Sequence, residues 1–155
     1  MKENTSPAVY TPLQPFARLI GNWKLTHSDL NTKEEWAGHD TFEWLPGGRF
    51  LTFRHHEDGN DSVNEGIDGV MVIGNEMGWE ETKPSETIVG HWFESSSGHR
   101  YKYIWEIKGD AIQFWLTSKQ SGMFFKGAFS EDGDTIRGTW QWPGGGYHLV
   151  MRRAK

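Results

Sequence analysis

Thr41-Phe42-Glu43-Trp44-Leu45-Pro46-Gly47-Gly48-Arg49-Phe50-Leu51-Thr52-Phe53 reads as two extended runs joined by a glycine turn. With Gly47 and Gly48 at the tip, Trp44 falls opposite Leu51 and Phe42 opposite Phe53. Extended by two residues each way, the same ladder sets Asp40 against His55. The other face pairs Glu43 with Thr52 and Thr41 with Arg54. Side chains alternate across a strand and the turn fixes the register, so this split assigns one inward and one solvated face.

The same reading carries along the chain from one turn to the next. The Ser95-Ser96-Ser97-Gly98 turn pairs Glu94 with His99, Trp92 with Tyr101 and Gly90 with Tyr103. At Gly109-Asp110, Ile107 meets Ile112 and Trp105 meets Phe114, with Glu106 and Gln113 outside. A four-residue loop sets Leu116 opposite Phe125. Around Ser130–Gly133, Gly127 is expected opposite Ile136 and Phe125 opposite Gly138. Around Pro143–Gly146, Trp142 is expected opposite Tyr147 and Trp140 opposite Leu149.

Ten strands result: 22–29, 37–45, 49–57, 64–73, 86–94, 99–107, 111–118, 123–129, 134–142 and 147–153. Ahead of them Phe16, Leu19, Ile20 and Trp23 recur at helical spacing, which predicts a short helix from near Pro15 to Gly21. Residues 1–11 are polar and Pro-bearing and read as a flexible arm; residues 12–155 read as a single domain. The acidic stretch 74–85, with Met77 and Trp79, reads either as a lid over the barrel mouth or as a solvated loop.

The chain of 155 residues carries 9 Trp, 9 Phe, 4 Tyr and 19 Gly, which favours an all-β domain. Sequential antiparallel strands remove their exposed edges by closing on themselves. The expected fold is therefore a closed antiparallel up-and-down barrel of about eight to ten strands, with a β-sandwich as the second choice. A net charge of −5 argues against nucleic acid, which needs a basic face. No Lys/Arg run suggests an anionic membrane surface. Zero cysteines exclude disulfides and thiolate chemistry. With no apolar leader and no stretch near the roughly 18 apolar residues of a membrane span, a cytoplasmic monomer or homodimer is expected.

Gly21-Asn22-Trp23 at the first strand and Arg153 (or Arg152) at the last resemble the paired closed-end motif of lipocalin-type, or calycin, barrels. Leu45-Pro46-Gly47-Gly48-Arg49-Phe50-Leu51 and Asp132-Gly133-Asp134-Thr135-Ile136-Arg137-Gly138-Thr139-Trp140 resemble small bacterial lipocalin-like domains. The resemblance spans about residues 17–153 and implies a barrel with a ligand cavity; its motifs are structural and carry no chemistry. Secreted lipocalins carry signal peptides and usually disulfides, and neither is expected here.

Antiparallel order sends His27, Asp40, His55, Glu94, His99 and Tyr101 to one rim, with Met123, Trp142 and Tyr147 around it. Phe42, Trp44, Phe53, Trp92, Trp105, Phe125 and Trp140 lie below. An aromatic-lined cavity with a few polar groups at its entrance suits a small apolar or aromatic molecule. The alternative is a cofactor-independent acid/base enzyme of isomerase, cyclase or lyase type. There Asp40 orients His55 as general base, and Tyr101 or Tyr103 polarises a carbonyl. A haem or metal site on His27, His55 and His99 ranks third, because no ligand spacing supports it. No cofactor is expected. His56, His91 and His148 face outward in this register.

Overall fold

The hairpin around Gly47 forms because both tip glycines take positive φ, 99° and 67°, which side-chain-bearing residues rarely adopt. It brings Trp44 opposite Leu51, Phe42 opposite Phe53 and Asp40 opposite His55, the expected register. The computed structural model describes residues 9–59 and 65–155. Its strands are β1 (Gly21–Asp29), β2 (Glu35–Trp44), β3 (Phe50–Glu57), β4 (Ile67–Asn75), β5 (Ile88–Glu94), β6 (Arg100–Lys108), β7 (Ala111–Leu116), β8 (Phe124–Phe129), β9 (Thr135–Trp142) and β10 (Gly145–Arg153).

Each strand pairs antiparallel with the next, and β1 pairs with β10, so the ten strands close into a barrel. Closure removes the open edges that a sandwich would keep. The β5–β6 and β6–β7 ladders also take the expected registers, with Trp92 opposite Tyr101 and Trp105 opposite Phe114.

Three later ladders are displaced by two residues from expectation. Phe125 lies opposite Phe114 and Trp140, where Leu116 and Gly138 were expected. Gly127 faces Gly138, and Ile136 faces Phe129. Trp140 faces Tyr147, and Trp142 faces Gly145. A shift of two keeps every side chain on its face, so the inward set survives. At the β8–β9 turn the cause is local. Asp132 accepts hydrogen bonds from Ser130 Oγ and the Asp134 N–H, and Gly133 takes a φ of 75°, which moves the tip one residue downstream.

The expected helix is a 3-10 helix over Thr11–Leu19, starting at the earlier proline rather than near Pro15. Leu13, Phe16 and Leu19 are fully buried and plug one end of the barrel. Most of the expected arm, residues 1–8, lies outside the described residues. Tyr10 is anchored: its N–H donates to the Gly48 carbonyl at 3.0 Å, and Arg49 lies over its ring.

Beside the plug, Trp23 is fully buried and donates through Nε1 to the Leu19 carbonyl at 2.7 Å. The Arg153 guanidinium lies 4.3 Å over the Trp23 ring. Arg153, not Arg152, thus partners Trp23. It donates to the Ile20, Arg18 and Gly133 carbonyls and, through Nε, to Asp134. Loop 76–87 joins strand ends at this same closed end, since Gly74 pairs with Phe50 beside the Gly47 turn. It therefore does not cover the mouth. Trp79 on it is fully exposed.

Candidate functional site

Glycines on the inner wall decide where rings lie. Phe125 fills the slot left by the facing Gly127 and Gly138; a methyl group on Gly138 would come within 2.5 Å of its ring. Trp105 donates through Nε1 to Met71 Sδ at 3.2 Å across Gly90. Phe114 stacks against Trp105, Phe125 and Trp140, with ring centroids 4.3, 4.9 and 5.5 Å apart. Phe42 stacks on Phe53 at 4.6 Å. These rings line a cavity of about 400 Å³ that reaches down to Leu19 of the plug. That volume lies in the range of small-molecule sites.

The polar wall of this cavity is built on β1, β2 and β3. His55 sits between two carboxylates. Its Nδ1–H donates to Asp40 Oδ1 at 2.6 Å and its Nε2–H to Glu57 Oε1 at 3.0 Å. The second oxygen of Glu57 accepts the Trp36 Nε1–H at 3.1 Å. His27, fully buried, stacks flat on Trp36 with centroids 5.0 Å apart. Its Nδ1 donates to the Trp36 carbonyl at 3.3 Å, and its Nε2 lies 3.3 Å from Glu57 Oε1 without the alignment of a hydrogen bond. Gly38 gives this group its room: a side chain there would collide with the His56 carbonyl and crowd His27.

Charge in this wall follows from burial set against neighbours. Burial alone would push the His55 imidazole down; Asp40 and Glu57 reverse that and take it up to about 10. With both nitrogens bonded to carboxylate oxygens, His55 is an imidazolium at neutral pH. Burial also pushes the Glu57 carboxyl up, but the imidazoles of His27 and His55 outweigh it and hold Glu57 far below the usual range. For Asp40, burial wins over His55 and the carboxyl is pushed up. Burial likewise keeps the Tyr103 and Tyr147 phenols neutral well past their ordinary range.

Of the residues expected at the mouth, His27, Asp40, His55, Glu94 and Tyr101 all line the cavity. Tyr103, Phe53, Trp92, Trp140, Phe42, Trp105 and Phe125 line it as well. Two expected residues stand apart. His99 belongs to the β5–β6 turn, with a side chain 62 % exposed; it bonds to Glu94 at 3.2 Å and stacks outside Tyr101. Trp44, inward but next to the closed end, packs against the core rather than facing the cavity. Of the expected ring around the rim, Trp142 and Tyr147 line the cavity and Met123 does not.

Glu57 and Trp36 escaped the sequence reading. Glu57 shares the parity of His55, so alternation alone places it inward. Trp36 precedes the expected start of β2 at residue 37 by one position, and the observed strand begins at Glu35. The third candidate, a metal site, has no geometric support: among the described residues no three His, Cys, Asp or Glu are arranged to hold an ion. Among those residues no helix is long and apolar enough to cross a membrane.

Neither the family models nor the curated proteins compared with this chain match it.

Proposed function

We propose that this chain is a lipocalin-type barrel that binds one small apolar or aromatic molecule in its open end. The Trp23–Arg153 stack beneath a helical plug supports the lipocalin reading. The observation that carries the binding reading is the cavity itself, about 400 Å³ of space left between aromatic walls under a polar rim. Well-packed interiors leave few voids larger than a water molecule, so a space of this size has a use. Trp92 and Trp140 offer ring faces, and Tyr101 and Tyr103 offer hydroxyls to orient a polar substituent.

Titrating tryptophan fluorescence with the uncharged dye N-phenyl-1-naphthylamine tests this. One saturable site is expected. Gly69→Ala should weaken it with the far-UV spectrum unchanged, because the added methyl would fall 2.1 Å from the Trp92 ring and drive that ring inward. Absence of saturable binding to the wild type overturns the reading.

The carboxylate–imidazolium–carboxylate arrangement favours a second reading, cofactor-independent acid/base chemistry on the same ligand. Neighbouring carboxyls pushed in opposite directions are a recurring acid/base pattern. In that reading Asp40, pushed up by burial, takes the proton, since both His55 nitrogens are committed. The neutral Tyr103 hydroxyl donates to the carbonyl whose α-carbon is deprotonated. Proton NMR of α-tetralone in deuterated buffer would show protein-dependent α-exchange, lost in Asp40→Asn. Exchange no faster than in buffer alone removes this reading.

A further inference from the structure

We infer that the cavity selects organic cations: small, largely apolar amines whose ammonium group sits among the carboxylates and rings near the mouth. This rests on the binding reading above and adds the charge of the occupant.

Among the described residues the cavity wall contains Asp29, Asp40, Glu57 and Glu94, and no lysine or arginine. The chain has 16 Lys and Arg to place, so their exclusion from a wall of this extent is selective. Asp29, the last residue of β1, is tied down by the Asn31 and Thr32 N–H groups of the β1–β2 turn at 2.8 and 2.9 Å. The other three face the space. His55 lies between Asp40 and Glu57, and His27 Nε2 is 3.3 Å from Glu57, so imidazoles and carboxylates share this part of the wall. Glu94, across β4 from His55, adds a carboxylate at the rim, bonded on its outer side to Ser97 and the exposed His99.

His27 packs behind this wall, beside Glu57. Its Nδ1 proton is directed at the Trp36 carbonyl, while Nε2 is buried, without an aligned hydrogen-bond partner, in a residue that lines the cavity. With Nε2 showing almost no surface to the cavity, a ligand meets the carboxylates rather than this imidazole. Close by are Glu57 Oε1 at 3.3 Å, an acceptor, and the carboxylate of Asp40 beyond His55. A group carrying several N–H donors suits such surroundings; a carboxylate or phosphate does not.

The apolar wall agrees. A cation gains from ring faces, most from indole and phenol, when water is excluded. Trp92 lies 5.9 Å from the His55 ring, Trp36 and Tyr147 flank His27, and Tyr101 and Tyr103 line the same cavity. An anion entering the same space would meet Glu94 and then Asp40 in a medium that screens poorly. The hydrocarbon of the ligand lies against Phe53, Phe114 and Trp140.

Three ligands sharing one ring system test the inference: 2-naphthylmethylamine, 2-naphthylmethanol and 2-naphthoate, titrated at pH 7.5 by isothermal calorimetry. The amine is expected to bind roughly ten-fold tighter than the alcohol, a difference of about 1.4 kcal/mol, with the carboxylate weakest. Glu94→Gln should reduce amine affinity several-fold more than it changes alcohol affinity. Alcohol or carboxylate binding as tightly as the amine overturns the inference while the cavity remains a binding site. If none of the three binds and the neutral dye also fails, the binding reading falls with it. Saturable dye binding with no preference among the three sinks only the preference for cations.

Discussion

At the closed end, Arg153 lies on the Trp23 ring and donates to three carbonyls and Asp134, all fixed parts of the fold. At the open end, Asp40, His55, Glu57 and His27 gather more charge around empty space. The closed-end pair is partly open to water, with the Arg153 and Asp134 side chains 27 % and 41 % exposed, whereas Asp40 and Glu57 are 4 % exposed. The difference lies in what completes them. Charge at the closed end is answered by backbone that cannot leave, so it ties helix, first strand and last strand together. Charge at the open end is only partly answered. Buried ion pairs are weak sources of stability, and apolar residues of similar volume often serve the fold as well or better. Their presence beside a cavity therefore points to use rather than support.

The largest expected effect breaks the closed end. Trp23→Ala removes a fully buried indole together with the surface on which Arg153 rests, and should cost about 3–5 kcal/mol in urea unfolding. Trp92→Ala removes an indole of the same size whose ring borders the cavity, and should cost distinctly less, because part of its contact is with open space. Equal losses would mean that the open end is as tightly packed as the closed one.

The next effect reads the charge at the open end. His55 is raised in the folded protein to about 10, against about 6.5 for an unperturbed imidazole. A group raised on folding contributes stability that is complete below the lower value and lost as pH climbs toward the higher one. Each unit corresponds to about 1.4 kcal/mol, so a loss of a few kcal/mol is expected between pH 6.5 and 9.5. His55→Gln should flatten that slope. Stopping at 9.5 stays below the titration of Tyr103 and Tyr147, which burial holds above their ordinary range. In acid the picture is mixed: Glu57, lowered, gives up stability as pH falls, while Asp40, raised, gains it. The alkaline limb is therefore the informative one. A wild-type stability that stays flat there would show that His55 is not an enclosed cation.

The barrel was readable in the sequence because alternation and glycine turns are local. The β2–β3 hairpin needs only Gly47 and Gly48, and its register follows. Where the turn tip is set by a side chain, as with Asp132 before Gly133, the reading slipped by two residues. It kept its faces because the side-chain period is itself two. The polar pair Asp40–His55 was legible for the same reason. Its completion by Glu57 and Trp36 was not, since neither carries a turn signal and both belong to strand ends, where boundaries are hardest to set. Whether the interior is filled or hollow was also hidden. That depends on which inward glycines receive a ring from a neighbouring strand, as Gly138 does from Phe125, and such a match is set by tertiary contact.

The smallest effect concerns the neighbour of His55. His56 points outward from the same strand and is also flanked by two carboxylates, Asp68 at 2.7 Å and Asp58 at 2.8 Å. These hydrogen bonds raise its imidazole as well, Asp68 contributing most. On bond lengths alone the two histidines would rank alike. Their surroundings separate them: the Asp58 and Asp68 side chains are 61 % and 59 % exposed, against 4 % for Asp40 and Glu57. Water screens the outer pairs and solvates the carboxylates once the imidazole is gone. His56→Asn should therefore change stability by about 0–1 kcal/mol, less in high salt, and leave the alkaline limb in place. A loss as large as that of His55→Gln would mean that the number of bonded carboxylates, and not enclosure, sets the strength of these sites on β3.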